Sequence, residues 1–167
     1  MDDATARMMA EKGVWLSMQP LPDELAEAFP PGSEQRAKAV EVFAGTEKTY
    51  ALARKYRIKT AWGTDVLFSP ALATMQGALL AKIAKWFTPA EALAMATGTN
   101  AQLLALSGLR NPYPGKLGVV AEGALADLLL VDGNPLENIR LIEDPGRNFV
   151  IIMKDGKVYK NTLAKAP

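Results

Sequence analysis

The chain contains neither cysteine nor histidine. Without cysteine, disulfides and thiolate metal sites are excluded. Without histidine, Ser-His-Asp catalysis and imidazole-ligated metals are excluded as well. An excess of charge of one sign is also missing: the net charge is +1, so no electrostatic argument favours nucleic acid or an anionic membrane as a partner. The apolar runs are far shorter than the roughly 20 residues of a membrane-spanning helix. Met1-Asp2-Asp3 is acidic and no apolar run follows it, unlike a secretory signal, so a cytoplasmic location is expected. What is present is an ordinary globular composition, with 167 residues of which 49% are hydrophobic and 22% charged. That suffices for one domain, or for one small domain plus a piece of another.

In chain order, Asp2 and Asp3 suit a helix N-terminus, and Gly13 suits the residue just past the end of a helix over about residues 4–12. Residues 14–18 (VWLSM) read as a buried strand, stopped by Pro20 and Pro22. A proline-rich loop follows. Residues 33–56 form a long helical stretch capped by Ser33, with Val40, Phe43, Ala44, Tyr50 and Tyr56 expected on its apolar side. Residues 57–62 read as the next strand. The order helix, strand, helix, strand, with one helix crossing between two strands, predicts a parallel sheet.

That second strand stops at Gly63-Thr64, and Asp65 stands just past its end. Parallel α/β folds place their chemistry at this end of the strands. Two readings of Asp65 remain open from spacing alone: it stabilises the following turn through its own backbone, or it belongs to a site. Val66 to Pro70 form an apolar loop beyond it. Met75, Leu79, Ile83 and Trp86 recur at helical spacing. Thr88-Pro89-Ala90-Glu91 carries a threonine cap, a proline at the first helical position and a glutamate that closes a capping box. Gly98 is expected to interrupt the helix and Gly108 to end it. From Asn111 the pattern becomes short strands and turns, over residues 117–120, 126–131 and 148–153, with Asp132-Gly133 and Asp144-Pro145-Gly146 as breakers. Lys154-Asp155-Gly156-Lys157 predicts a two-residue hairpin turn returning into residues 158–160. Asp127 is expected to hold a turn, and residues 163–167 to form a tail.

Four groups of residues then occur in order: Gly63-Thr64-Asp65; Thr88 to Leu93 with Ala96-Thr97-Gly98-Thr99-Asn100-Ala101; Gly118 to Leu128; and Lys154 to Val158. Together they resemble the C-terminal part of the metal-dependent amidohydrolase superfamily, and most closely its imidazolonepropionase and Xaa-Pro dipeptidase-like branch. The fold this resemblance implies is α/β. Residues 1–110 would be the last two β/α units of a (β/α)8 TIM-type barrel, with residues 14–18 and 57–62 as strands 7 and 8. Residues 111–167 would be the C-terminal part of a small β-sandwich. By the same resemblance Asp65 would be both a metal ligand and the catalytic carboxylate, taking a proton from the attacking water. The divalent metal of the complete enzyme, zinc by resemblance, lowers the pKa of bound water to about 7. Gln19, Val66 and Phe68 stand where substrate contacts are expected.

The departures from the family pattern are equally informative. The histidines and the lysine or glutamate that complete the family's metal site have no counterpart in this sequence. One aspartate cannot hold a catalytic zinc, which takes three protein ligands plus water, and a complete barrel needs about 250 residues. The expectation is a fragment of an enzyme that hydrolyses amide, lactam or dipeptide C–N bonds, inactive and metal-free alone. Its expected partner is the missing barrel portion or another copy of itself. The alternative is a non-catalytic α/β binding or interaction module.

Overall fold

The computed structural model describes residues 1–20, 23–66 and 69–163. The chain forms two compact units, Met1–Asp65 and Val66–Pro167. This division follows compactness, whereas the division at residue 110 expected from sequence follows fold type.

The first unit is two helix-to-strand steps. Helix α1 (Asp3–Glu11) is capped by Asp2, whose carboxylate accepts the Thr5 N–H at 2.8 Å. It leads into β1 (Leu16–Met18). After a 3-10 segment (Asp23–Ala28), helix α2 (Glu34–Lys55) starts at Ser33, whose hydroxyl accepts the Arg36 N–H. It feeds β2 (Thr60–Trp62). The strands pair in parallel, Leu16 opposite Thr60 and Met18 opposite Trp62, as the crossover helix predicts. Strand β1 is shorter than the sequence pattern implies and is not wholly buried: Val14 is 46% exposed and Ser17 is exposed.

Both helices end in the same hydrogen-bonding device. At the end of α1 the Gly13 N–H donates to the Ala10 carbonyl and the Val14 N–H to the Met9 carbonyl. At the end of α2 the Arg57 N–H donates to Arg54 and the Ile58 N–H to Ala53 (2.9 Å). This is the Schellman arrangement, which needs a left-handed residue just past the helix. Gly13 meets that need at φ +64, whereas the second helix uses Arg57 at φ +53. For a residue with a Cβ that conformation costs about 1–2 kcal/mol. Ala6, Ala53 and Ile58 form the buried centre between these elements, with Met9, Leu16 and Tyr56 packed against it.

The buried side of α2 differs from the apolar pattern. Thr46, Thr49, Tyr50 and Ala53 are buried, while Ala44 is exposed and Val40 is 53% exposed. Thr49 enters the interior because its hydroxyl donates to the Gly45 carbonyl at 2.8 Å, so its polar atom is satisfied within the helix. Burial raises the Tyr50 phenol above its usual range, so it stays neutral.

A polar cluster ties α1 to α2. Lys55 donates to Asp3 at 2.7 Å, Tyr56 donates to the other Asp3 oxygen, and Arg7 lies 3.5 Å from that carboxylate. The Lys55 ammonium, and then the Tyr56 phenol, hold the Asp3 carboxyl below the usual carboxylate range. A folded-state pKa below the unfolded one means that this stability is present above the unfolded value near 4 and lost as pH falls through the folded value. The gap in melting temperature between the native chain and Asp3→Asn is therefore expected to be constant above about pH 5 and to narrow as pH falls below about 4. Thermal melts across that range check it, and a gap independent of pH would refute it.

The second unit begins with single-turn α3 (Pro70–Ala73) and α4 (Gln76–Lys82), then a 3-10 turn, Ile83–Lys85. Leu79 and Ile83 are buried, but Met75 caps α4 from outside and is 42% exposed. Gly77 permits α4 to pack on another 3-10 turn, Ile139–Ile142: a Cβ there would lie 2.1 Å from the Ile142 carbonyl oxygen. The capping box forms as expected at α5 (Pro89–Ala94), with Thr88 and Glu91 bonding each other's backbone N–H. A π-helical turn, Met95–Thr99, contains Gly98 and joins α5 to α6 (Asn100–Ala105), so the expected interruption is a widened turn and not a break.

Three strands follow in antiparallel order: β3 (Leu128–Val131), β4 (Phe149–Lys154) and β5 (Lys157–Asn161). The hairpin turn is as expected, with Asp155 at φ +49 and Gly156 at φ +73. Asp127 holds this turn by accepting the Asp155 N–H at 2.8 Å. Residues 117–120 are not a strand. Asp144-Pro145-Gly146 starts a single helical turn, α7 (Pro145–Asn148), so the last third is not all-β. Residues 164–167 of the expected tail lie outside the described residues.

Candidate functional site

The parallel register decides which residues share an end of the sheet in the first unit. Met18 is opposite Trp62, so Gln19 and Gly63 leave the sheet on the same side, at the carboxyl ends of both strands. Asp65 follows two residues after Gly63. It is exposed and holds a left-handed backbone at φ +53, a conformation that aspartate tolerates better than most residues. Gln19 is half-buried. The structure thus brings two of the expected site residues, Gln19 and Asp65, to one end of one sheet. Val66 is half-buried and opens the second compact unit. Phe68 lies outside the described residues.

The donor set around Asp65 can be tested against a divalent metal. No three His, Cys, Asp or Glu residues come together among the described residues. A catalytic zinc takes three protein ligands and keeps a fourth position for water. The described residues therefore do not make up a metal centre, and Asp65 alone can serve as no more than one ligand. What a single exposed carboxylate can do is accept a proton or a hydrogen bond.

Further concavities lie within single units. The second unit has a cleft of about 730 Å³ between α6 and the loop at residues 111–123, with Gln102, Asn111 and Lys116 as its polar lining. No carboxylate or hydroxyl side chain is among its lining residues, and Lys116 is the one ionisable side chain there. The first unit has a smaller cleft, of about 240 Å³, lined by Trp15, Arg57 and Lys59 among others. The sequence pattern does not reveal this cleft, because Arg57 reads there only as the first residue of the second strand. The signal that could have found it is the position of Arg57, which matches that of Gly13 one helix earlier. No helix among the described residues is long and apolar enough to cross a membrane.

Comparison with known proteins gives these features a context. No curated protein matches the chain. Among solved structures, an amidohydrolase is 30% identical with a TM-score of 0.81, over 98% of this chain and 38% of its own length. A prolidase solved with N-methylphosphonate-L-proline is 28% identical with a TM-score of 0.80, over 97% of this chain and 38% of its own. Ochratoxinase from A. niger is 25% identical with a TM-score of 0.77, over 98% and 36%. The chain therefore spans less than two fifths of the length of these proteins. The amidohydrolase family model matches residues 1–160, nearly the whole sequence, and the chain belongs to the amidohydrolase family.

Proposed function

We propose that this chain is part of a hydrolase that cleaves C–N bonds of small amide, lactam or dipeptide substrates with water, and that Asp65 is its contribution to the hydrolytic centre. The observation that carries this reading is the parallel pairing of β1 with β2, which leaves Asp65 beyond the carboxyl end of β2. Family membership over residues 1–160 supports the class of reaction, and the prolidase among the structural neighbours supports a small substrate. On this reading residues 1–110 are the last two β/α units of a (β/α)8 barrel and residues 111–167 a β-sandwich segment. Asp65 takes a proton from the attacking water and returns it to the leaving nitrogen, as a positioned carboxylate does in general acid–base catalysis. Gln19, Val66 and Phe68 are the candidate substrate contacts on this reading. The family generally uses divalent metals, and the remaining ligands would come from outside this sequence.

A second reading, a non-catalytic α/β binding module, is favoured by the lack of a metal-ligating cluster among the described residues. The two are separated by comparing the isolated chain with a chimera. In the chimera, residues 1–163 replace the matching segment of the 28%-identical prolidase. The isolated chain is expected to bind no stoichiometric zinc, to hydrolyse no Xaa-Pro dipeptide and to self-associate. The chimera is expected to fold with the prolidase's metal content and to hydrolyse the dipeptide. Tight one-to-one zinc and turnover in the isolated chain would refute the division of the site. A folded, metal-loaded chimera with no activity would favour the binding module.

A further inference from the structure

We infer that the amino-terminal end of the two-stranded sheet, opposite Asp65, carries an oxyanion site built on Arg57 and Lys59 that takes phosphate or a phosphomonoester. The cleft of about 240 Å³ lies between the turns that enter β1 and β2, and Gly13, Val14, Trp15, Arg57 and Lys59 contribute to its walls. No carboxylate lines it. Among the described residues neither Arg57 nor Lys59 has an acidic partner. The Lys59 ammonium instead sits over the Trp15 ring, 5.0 Å from its centre, which keeps it beside the cleft.

The backbone does not explain why residue 57 is an arginine. Its left-handed conformation is cheapest for glycine, which the chain uses at the equivalent place in the preceding helix-to-strand step. Nor does helix capping explain it. The Arg54 and Ala53 carbonyls at the end of α2 already accept the Arg57 and Ile58 N–H groups, and Arg54 and Lys55 supply cations within the last turn. Arg57 is surplus to both needs, and it lines a concave space that Lys59 also lines. A planar guanidinium fork and an ammonium on residues of one cleft suit a doubly charged oxyanion better than a monocarboxylate. A phosphate dianion would meet both charges.

The test titrates inorganic phosphate into the full chain at constant ionic strength, read by calorimetry and by the shift in melting temperature. Saturable binding with a Kd of about 1 mM is expected, with acetate unable to compete. Arg57→Gly removes the cation while relaxing the backbone. It should melt no lower than the native chain without phosphate and should lose saturable binding. Lys59→Gln should weaken binding about tenfold. Cosedimentation with phosphatidylcholine vesicles that contain phosphatidic acid, but not with vesicles lacking it, would place the phosphate on a lipid headgroup. Binding of soluble phosphate alone would place it on a small metabolite. A response to phosphate that never saturates overturns the site. So does an Arg57→Gly variant that melts lower yet binds phosphate as the native chain does, which would make Arg57 a structural helix-end cation.

Discussion

In the prolidase chimera, Asp65→Asn is expected to lower hydrolysis of an Xaa-Pro dipeptide by about 10²–10⁴-fold, the usual contribution of a positioned proton acceptor. Asparagine is the informative replacement because of the backbone. Asp65 sits at φ +53, where asparagine and aspartate are both tolerated and alanine is strained. Asparagine also keeps the side-chain oxygen that a turn-stabilising role would use. The substitution thus removes the negative charge and the proton-accepting capacity while leaving the turn able to form. Circular dichroism and melting temperature should be unchanged. The loss should appear in kcat, since the group acts in the reaction and not in uniform binding. Activity retained within about a factor of two would assign Asp65 to the turn alone. Asp65→Ala is the less useful variant, because it mixes backbone strain with loss of charge.

Replacing Gly118 with alanine is expected to be among the most damaging single substitutions to stability, at about 2–5 kcal/mol. Two causes combine. Gly118 holds φ +69, and a Cβ there would lie 2.4 Å from the Thr97 carbonyl carbon and oxygen and 2.7 Å from the Gly98 nitrogen. All three atoms are backbone, so no side chain can swing aside to make room. Thr97 and Gly98 also lie in the π-helical turn between α5 and α6, so the loop cannot move away without uncovering that turn. Gly123→Ala is the matched control. Gly123 has φ +77, but a Cβ added there would meet nothing within 4 Å, so only backbone strain applies, about 1–2 kcal/mol. Urea unfolding of both variants gives the comparison. Equal destabilisation by the two would show that the close approach at Gly118 contributes nothing.

The features legible in sequence are those whose partners lie within a few residues. Thr88 and Glu91 cap each other across one turn. Ser33 reaches Arg36 and Asp2 reaches Thr5. Asp155-Gly156 carries its own hairpin geometry. The helix crossing between two strands predicted a parallel pair because the chain has no shorter way to join strands in that sense. The placement of Asp65 after the second strand is of the same kind, a matter of where β2 stops. Apolarity alone is a poorer guide: it puts Val40 and Ala44 on the inner side of α2, yet both are exposed and two threonines are buried in their stead.

The sequence by itself determined the capped starts of α1, α2 and α5, the hairpin, the parallel sense of the first sheet and the family to which the chain is similar, because each depends on neighbours along the chain or on ordered motifs. Only the tertiary structure decided that Gln19 and Asp65 share one end of a sheet, that Arg57 and Lys59 border a cleft at the other, and that the Gly118 loop lies against the Thr97–Gly98 backbone and is not a strand. Those facts rest on register and close approach between segments about 20 to 45 residues apart, which local hydrogen bonding and side-chain periodicity do not constrain.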